Sequence, residues 1–279
     1  MQTVKYSMFR PVVAVFAHKP DLTRYEEISL TQCGRVLGNH PLKLICPLGM
    51  NVSAHLKLAP QLEIDPVPPA FLSSLSAYNK FKISPWLYDR YQDYDFMLTY
   101  ELDAFVFRDE LQEWCGAGWD YIGAPWFKGD LQKPEAAIIR SGGNSGFSLR
   151  RIAPARRLNR RWKLIRPVHH VYRDWMRSTR GSQRQYRELI ELAWGKNIFH
   201  HRFSKVEVNE DLFWSRDVAR RFSEYRVAPY TQARRFSFEA LPERLLAENA
   251  GLLPFGCHKW HTGLLNFWRP YLNECGYDV

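Results

Sequence analysis

Tyr94-Asp95-Phe96-Met97-Leu98-Thr99-Tyr100-Glu101-Leu102-Asp103-Ala104-Phe105-Val106-Phe107 is an apolar run with two carboxylates set into it. Phe96 to Tyr100 has the length and aromatic content of a buried strand, and the carboxyl end of such a strand is where an open α/β sheet holds its ligands. Glu101 and Asp103 sit at that end. Side chains alternate along extended chain, so residues two apart face the same way and both carboxylates reach one divalent cation if strand geometry continues through them. Oxygen ligands suit a hard cation, Mn²⁺ or Mg²⁺, whose open side then takes phosphate oxygens. The alternative is structural: an Asp that ends a strand and caps the next turn, with Glu101 in a salt bridge.

Upstream of that strand, Val12-Val13-Ala14-Val15-Phe16 reads as a first buried strand, residues 25–37 as a helix ending near Gly38-Asn39, and residues 42–46 as a second strand. This β-α-β opening predicts an α/β fold with a parallel, doubly wound sheet and right-handed crossovers. The proline-rich passage from Asp65 to Pro69 reads as a break, and Ala77 to Tyr91 carries helical apolar spacing interrupted at Ser84-Pro85. Downstream, Trp119 to Trp126 is an aromatic strand and turn, and Ser141 to Arg150 is a glycine-rich loop entering a strand. Val206 to Trp214 places an acidic pair, Glu210-Asp211, between a short strand and an apolar helix start. With no internal repeat or low-complexity linker, the simplest partition is a single domain over residues 1–279 with a basic helical segment at about 150–200.

The 279 residues suffice to bury a substantial core, and 46% hydrophobic with 15% aromatic residues argue against extensive disorder. Five widely spaced cysteines without a C-x-x-C unit fit reduced thiols in a cytosolic compartment rather than a disulfide frame or zinc site. No stretch approaches the roughly 20 apolar residues needed to span a bilayer. The expected location is cytoplasmic, with attachment to a membrane only at its surface. A net charge of +10 implies an anionic partner, which charge alone leaves open among nucleic acid, a phospholipid surface and phosphorylated small molecules. Much of that charge lies from Arg150 to Arg187, where Asp174 is nearly the only opposing charge.

Six segments stand out along the chain: Tyr78-Asn79-Lys80, Glu101 to Phe107, Tyr121 to Trp126, Gly143 to Arg150, Asn209 to Phe213 and Pro254 to Trp260. Their order resembles glycosyltransferases of the GT-A fold, most nearly a largely uncharacterised bacterial family encoded among surface-polysaccharide genes. The resemblance implies a Rossmann-related mixed sheet flanked by helices, with the basic helices as an insertion. It also implies transfer of a sugar from a nucleoside diphosphate donor to a glycan or lipid-linked glycan acceptor. Asp103, with Glu101, would occupy the Asp-x-Asp metal position, and His258 would match a late histidine that adds a ligand in some of these enzymes. A neutral imidazole beside two carboxylates favours Mn²⁺ over Mg²⁺.

Further roles follow from the same resemblance. His18 and Lys19 fall where the first strand would deliver a nucleotide, and Tyr78, Asn79 and Lys80 near the same nucleotide. Lys259 would offset diphosphate charge. Gly143, Asn144 and Ser145, in a loop whose glycines allow close backbone approach, together with the flat face of Trp126, are candidates for holding a sugar. Asp211 is the candidate base for an inverting transfer and Glu210 its partner in orienting the acceptor. Asp211 as a helix N-cap is the structural alternative, and a retaining transfer is the mechanistic one.

A nucleic-acid-binding protein using the Arg150 to Arg187 run is the competing class, since Trp162, Tyr172, Trp175 and Tyr186 lie among its basic residues. It lacks any accompanying recognition signature and leaves Glu101, Asp103, Asp211 and His258 without a role, so no nucleic-acid partner is expected. Within the enzyme reading the same run suits a phosphorylated acceptor or an anionic membrane surface.

Overall fold

The computed structural model describes residues 9–128, 137–140, 142–159 and 209–279. Strand β1 (Pro11–Phe16) is covered on both faces, with Val13 and Val15 packed into one apolar layer and Val12, Ala14 and Phe16 into another. That double burial is why its sequence is uninterruptedly apolar. Helix α1 (Arg24–Leu37) starts at a capping box. Thr23 Oγ1 accepts from the Glu26 N–H at 3.3 Å, while Glu26 Oε2 accepts from the Thr23 N–H at 2.7 Å. Strand β2 (Leu42–Pro47) lies parallel to β1, and α2 (Ser53–Leu58) leads to β3 (Glu63–Val67), parallel to β2.

Strand β3 corrects the reading of Asp65 to Pro69 as a break. Pro66 is tolerated because β3 forms the edge of the sheet, where an absent N–H interrupts no interior ladder. The helical stretch beyond divides as the sequence suggests, into α3 (Leu75–Ile83) and α4 (Pro85–Arg90), with Ser84 ending one and its hydroxyl accepting from Leu87 N–H at 3.5 Å to start the other.

Strand β4 (Phe96–Glu101) joins β1 on the side away from β2, in parallel, with Glu101 opposite Phe16. Leu102 and Asp103 then form a turn that carries the chain out of the large sheet into β5 (Ala104–Val106). The chain continues through α5 (Leu111–Gly116), β6 (Tyr121–Gly123), β7 (Trp126–Lys128), β8 (Ala137–Arg140), β9 (Phe147–Arg151) and α6 (Ile152–Asn159). Strand β9 runs antiparallel between β4 and β6, giving a mixed six-stranded sheet in the order β3-β2-β1-β4-β9-β6. The architecture is therefore α/β with helices on both faces of a mixed sheet. Only its β3 to β4 half is parallel throughout.

Beyond residue 208, Glu210–Leu212 opens a helical segment that passes through a π-helical stretch, Phe213–Val218, into Ala219–Arg221. Helix Tyr230–Phe236 feeds β10 (Ser237–Phe238), and helix Pro242–Glu248 precedes β11 (Gly256–His258) and the final helix Leu265–Glu274. Strand β11 pairs in parallel with β10 and antiparallel with β5, placing His258 opposite Ala104. Of the basic run, residues 160–187 lie outside the described residues, as does the short strand expected at 206–208. No helix among the described residues is long and apolar enough to cross a membrane.

Candidate active site

Strand β1 has β2 on one side and β4 on the other, so the connections leave it in opposite directions and a crevice opens beyond the carboxyl ends of β1 and β4. A cleft of about 570 Å³ occupies that place. Its walls include Phe16, His18 and Lys19 after β1, Thr23 and Glu26 at the head of α1, Tyr78 on α3, Glu101 and Asp103 after β4, and His261.

Two of the lining carboxylates, Glu101 and Asp103, meet the buried side chain of His258. His258 Nε2 lies 2.9 Å from Asp103 Oδ1 and 3.5 Å from a Glu101 oxygen. One ligand atom from each of Glu101, Asp103 and His258 lies within 4.8 Å of the others. Strand geometry does not produce this convergence. Glu101 ends β4 and Asp103 sits in the turn after it, so the two are brought together because the chain bends towards β5, and β5 pairs with the strand that carries His258.

The donor set fits a divalent cation. Two carboxylates and an imidazole nitrogen are ligands that Mn²⁺ accepts. The cluster's charge argues the same way. Burial would lower the basicity of His258, but the facing carboxylates of Asp103, Glu101 and Glu239 outweigh it and raise the imidazole well above its usual range. A site that draws a proton onto a buried imidazole has an excess of negative charge for a cation to neutralise.

Behind Glu101 stands a lysine that the sequence reading overlooked. Lys82, wholly buried, donates to Glu101 Oε1 at 2.9 Å and to Ser145 Oγ at 3.1 Å, and lies 3.4 Å from Glu210. The Tyr78 hydroxyl also donates to Glu101 Oε1, at 2.8 Å. With that oxygen engaged, Oε2 is the one turned to His258. Burial pushes the Glu101 carboxyl up, yet Lys82 and His258 together hold it well below the usual carboxylate range, so the group is ionised.

The acidic pair divides into an inner and an outer member. Glu210 has no exposed surface and is held between Lys82 and Arg150, whose guanidinium lies 2.5 Å from Glu210 Oε1. Glu210, expected to orient the acceptor, thus stands behind Asp211 with both its cations in place. It sets the charge around its neighbour instead. Asp211 is partly exposed, and burial together with the Glu210 charge pushes its carboxyl up to about 7. Asn209, not Asp211, occupies the helix N-cap position, with Asp211 Oδ1 accepting from the Leu212 N–H at 2.7 Å. Asp211 does not line the cleft, but Lys82 and Glu239 both act on its charge, and each of these touches the Glu101-Asp103-His258 cluster.

The remaining sequence candidates fall into three groups. His18, Lys19 and Tyr78 line the cleft, with Lys19 paired to Glu26 at 2.8 Å. Asn79 and Lys80 do not line it, and Asn79 Oδ1 accepts from the Glu210 N–H at 3.3 Å. Lys259 is half exposed and lies 2.8 Å from Glu239. Asn144 is buried and uses its Oδ1 to accept from the Gly146 N–H at 2.9 Å. The glycines of this loop make room for protein: a Cβ on Gly143 would overlap Trp126, and one on Gly146 would lie 2.0 Å from His258 Nε2. Trp126 is part-exposed above Gly143, and Ser145 is part-exposed beside Lys82. Arg150, assigned in sequence to the basic run, is buried at Glu210.

Of the residues missed, Lys82 had a legible signal, since it follows Tyr78 by four and shares its helix face. The Thr23-x-x-Glu26 box likewise marks the head of α1 as a cleft wall. Glu239 had none.

Residues 61–258 match the model of a family described as "Protein of unknown function (DUF5672)". No curated protein matches the sequence. Among solved structures, the galactosyltransferase LgtC, in complex with donor and acceptor sugar analogs, is similar at 13% identity and a TM-score of 0.47, over 88% of this chain and 86% of that one. Core-mannan synthase A of Aspergillus fumigatus, in a Mn/GDP form, gives 10% identity and a TM-score of 0.41 over 78% and 71%. Mouse xyloside xylosyltransferase 1 gives 10% and 0.44 over 88% and 96%.

Proposed function

The chain belongs to the DUF5672 family, and we propose that it is a metal-dependent glycosyltransferase that moves a sugar from a nucleoside diphosphate donor to a hydroxyl of a glycan or lipid-linked glycan. The observation that carries this reading is the convergence of buried His258 on Glu101 and Asp103, two carboxylates that line a cleft at the switch point of the sheet. The order of sequence motifs supports sugar transfer as the chemistry.

In this reading Asp103, Glu101 and His258 hold Mn²⁺ or Mg²⁺, which when bound supplies charge neutralisation to the diphosphate and its departing oxygen. His18, Lys19 and the head of α1 bound the donor, with Lys19 the cation on that wall. Lys82 and Tyr78 keep Glu101 ionised and fixed in direction. Asp211 takes the proton of the acceptor hydroxyl as that oxygen attacks the anomeric carbon, and the transfer inverts configuration. Its carboxyl at about 7 suits a base that must be ionised yet basic at neutral pH. Asn144, Ser145 and Trp126 border the acceptor side. The resemblance to bacterial surface-polysaccharide enzymes supports an acceptor of that class, presented at the inner face of the cytoplasmic membrane.

A screen of sugar nucleotides for release of nucleoside diphosphate and for protection against thermal unfolding, with and without Mn²⁺, tests the proposal. A donor that does both only with the metal supports it. Binding of arbitrary oligonucleotide with no donor turnover would overturn it in favour of the nucleic-acid reading.

A further inference from the structure

Glu239 follows β10 directly, and the parallel pairing of β10 with β11, Phe238 opposite Cys257, sets Glu239 beside His258. Its Oε1 lies 3.5 Å from His258 Nδ1, on the ring edge away from Asp103, and 2.8 Å from Lys259 Nζ. One carboxylate oxygen thus touches two consecutive residues. The second of them, Lys259, has φ of 53°, a left-handed conformation that a lysine adopts only where its surroundings hold it. The backbone bends there, with Thr262 N–H donating to Lys259 O at 3.1 Å, and turns the chain away immediately after His258.

We propose that Glu239 is a positioning residue for the metal site: it accepts from His258 Nδ1–H and so leaves Nε2 as the nitrogen aimed at the cation between Asp103 and Glu101. The inference rests on reading Glu101, Asp103 and His258 as metal ligands. A ring nitrogen bonded to a carboxylate fixes both the tautomer and the direction of the opposite nitrogen, and it makes that nitrogen a stronger ligand. Gly146 packs over the face of the ring at its Nε2 end, where a Cβ would stand 2.0 Å from Nε2, so the tilt of the imidazole is confined while its Nε2 edge stays open towards Asp103 and Glu101. Glu239 is not itself a ligand. Its nearest partners are the far nitrogen of His258 and Lys259, and it is absent from the group of side chains whose donor atoms converge.

The test is Mn²⁺ affinity, measured by the loss of the free-ion electron paramagnetic resonance signal on the purified protein without donor or acceptor. Glu239→Ala is expected to weaken Mn²⁺ binding about 10–100-fold, the scale of losing a ligand's carboxylate partner. Glu239→Gln, whose amide oxygen still accepts from Nδ1–H, is expected to fall between Ala and wild type. Circular dichroism on each variant reports the fold, and Gln carries the test if Ala does not fold. Mn²⁺ binding by both variants equal to that of the wild type overturns the proposal while leaving the metal site standing. Failure of the wild type to bind Mn²⁺ overturns the metal reading itself.

Discussion

Lys82 Nζ lies 2.9 Å from Glu101 and 3.4 Å from Glu210, joining the carboxylate at the floor of the cleft to the buried member of the acidic pair 109 residues beyond it. With Arg150 on the far side of Glu210 and Tyr78 beside Glu101, these groups form one buried ionic network. The proposed metal site and the proposed base are therefore built on the same support.

That support predicts a stability effect. Lys82→Met removes a cation shared by two carboxylates, one of them fully buried, and leaves Glu210 with Arg150 as the cation facing it. Breaking a buried pair in this way costs about 3–5 kcal/mol. Urea denaturation measures it, and a loss below about 1 kcal/mol would show that Glu210 is satisfied by Arg150 alone.

Asp211→Asn tests the base. The amide keeps the shape and removes proton acceptance, so transfer is expected to fall by about 10²–10⁴ with donor binding unchanged. The pH dependence follows from the carboxyl raised to about 7 by burial and by Glu210. A base acts in its ionised form, so the transfer rate is high above that pH and falls as pH drops through about 7; in the Asn variant this limb disappears. A wild-type product retaining the donor's anomeric configuration would exclude the single displacement.

Gly146→Ala tests how closely the loop is fitted to the histidine. A Cβ there would stand 2.0 Å from His258 Nε2, and the imidazole must move for it to fit. Overpacking of this kind costs about 1–3 kcal/mol. Thermal unfolding reads the loss, and Mn²⁺ titration is expected to show weaker binding. Unaltered Mn²⁺ affinity would mean that the histidine is not a ligand.

The parts of this account legible in the sequence share a physical character. The strands β1, β2 and β4 declare themselves because burial on both faces makes them apolar along most of their length, and Ser84-Pro85 marks a helix break through proline chemistry. Strand β3 was hidden by a proline that only an edge position tolerates. In the site, Glu101 and Asp103 stand out because carboxylates are rare in apolar runs, and His258 was reached through the motif order. Buried countercharges are harder. Lys82 and Arg150 read as surface cations until the fold sets Glu210 between them, and Glu239 meets His258 only through pairing of β10 with β11.

The basic run up to Arg187 predicts attachment to anionic surfaces. Each basic residue near such a surface contributes about 1 kcal/mol, screened by salt. Flotation with vesicles containing anionic lipid is expected to decline as salt rises. Equal flotation with neutral vesicles would exclude an electrostatic cause.

On the proposed function, a divalent ion held by Asp103, Glu101 and His258 is required to use a nucleoside diphosphate sugar. The most direct test is release of nucleoside diphosphate from the accepted donor by the wild type in Mn²⁺, then in EDTA, beside Asp103→Ala. Asp103 lies in a part-exposed turn, so the variant is expected to fold. The prediction is turnover in Mn²⁺, none in EDTA, recovery when Mn²⁺ is restored, and none in Asp103→Ala under any condition. Undiminished turnover by the wild type in EDTA would contradict it.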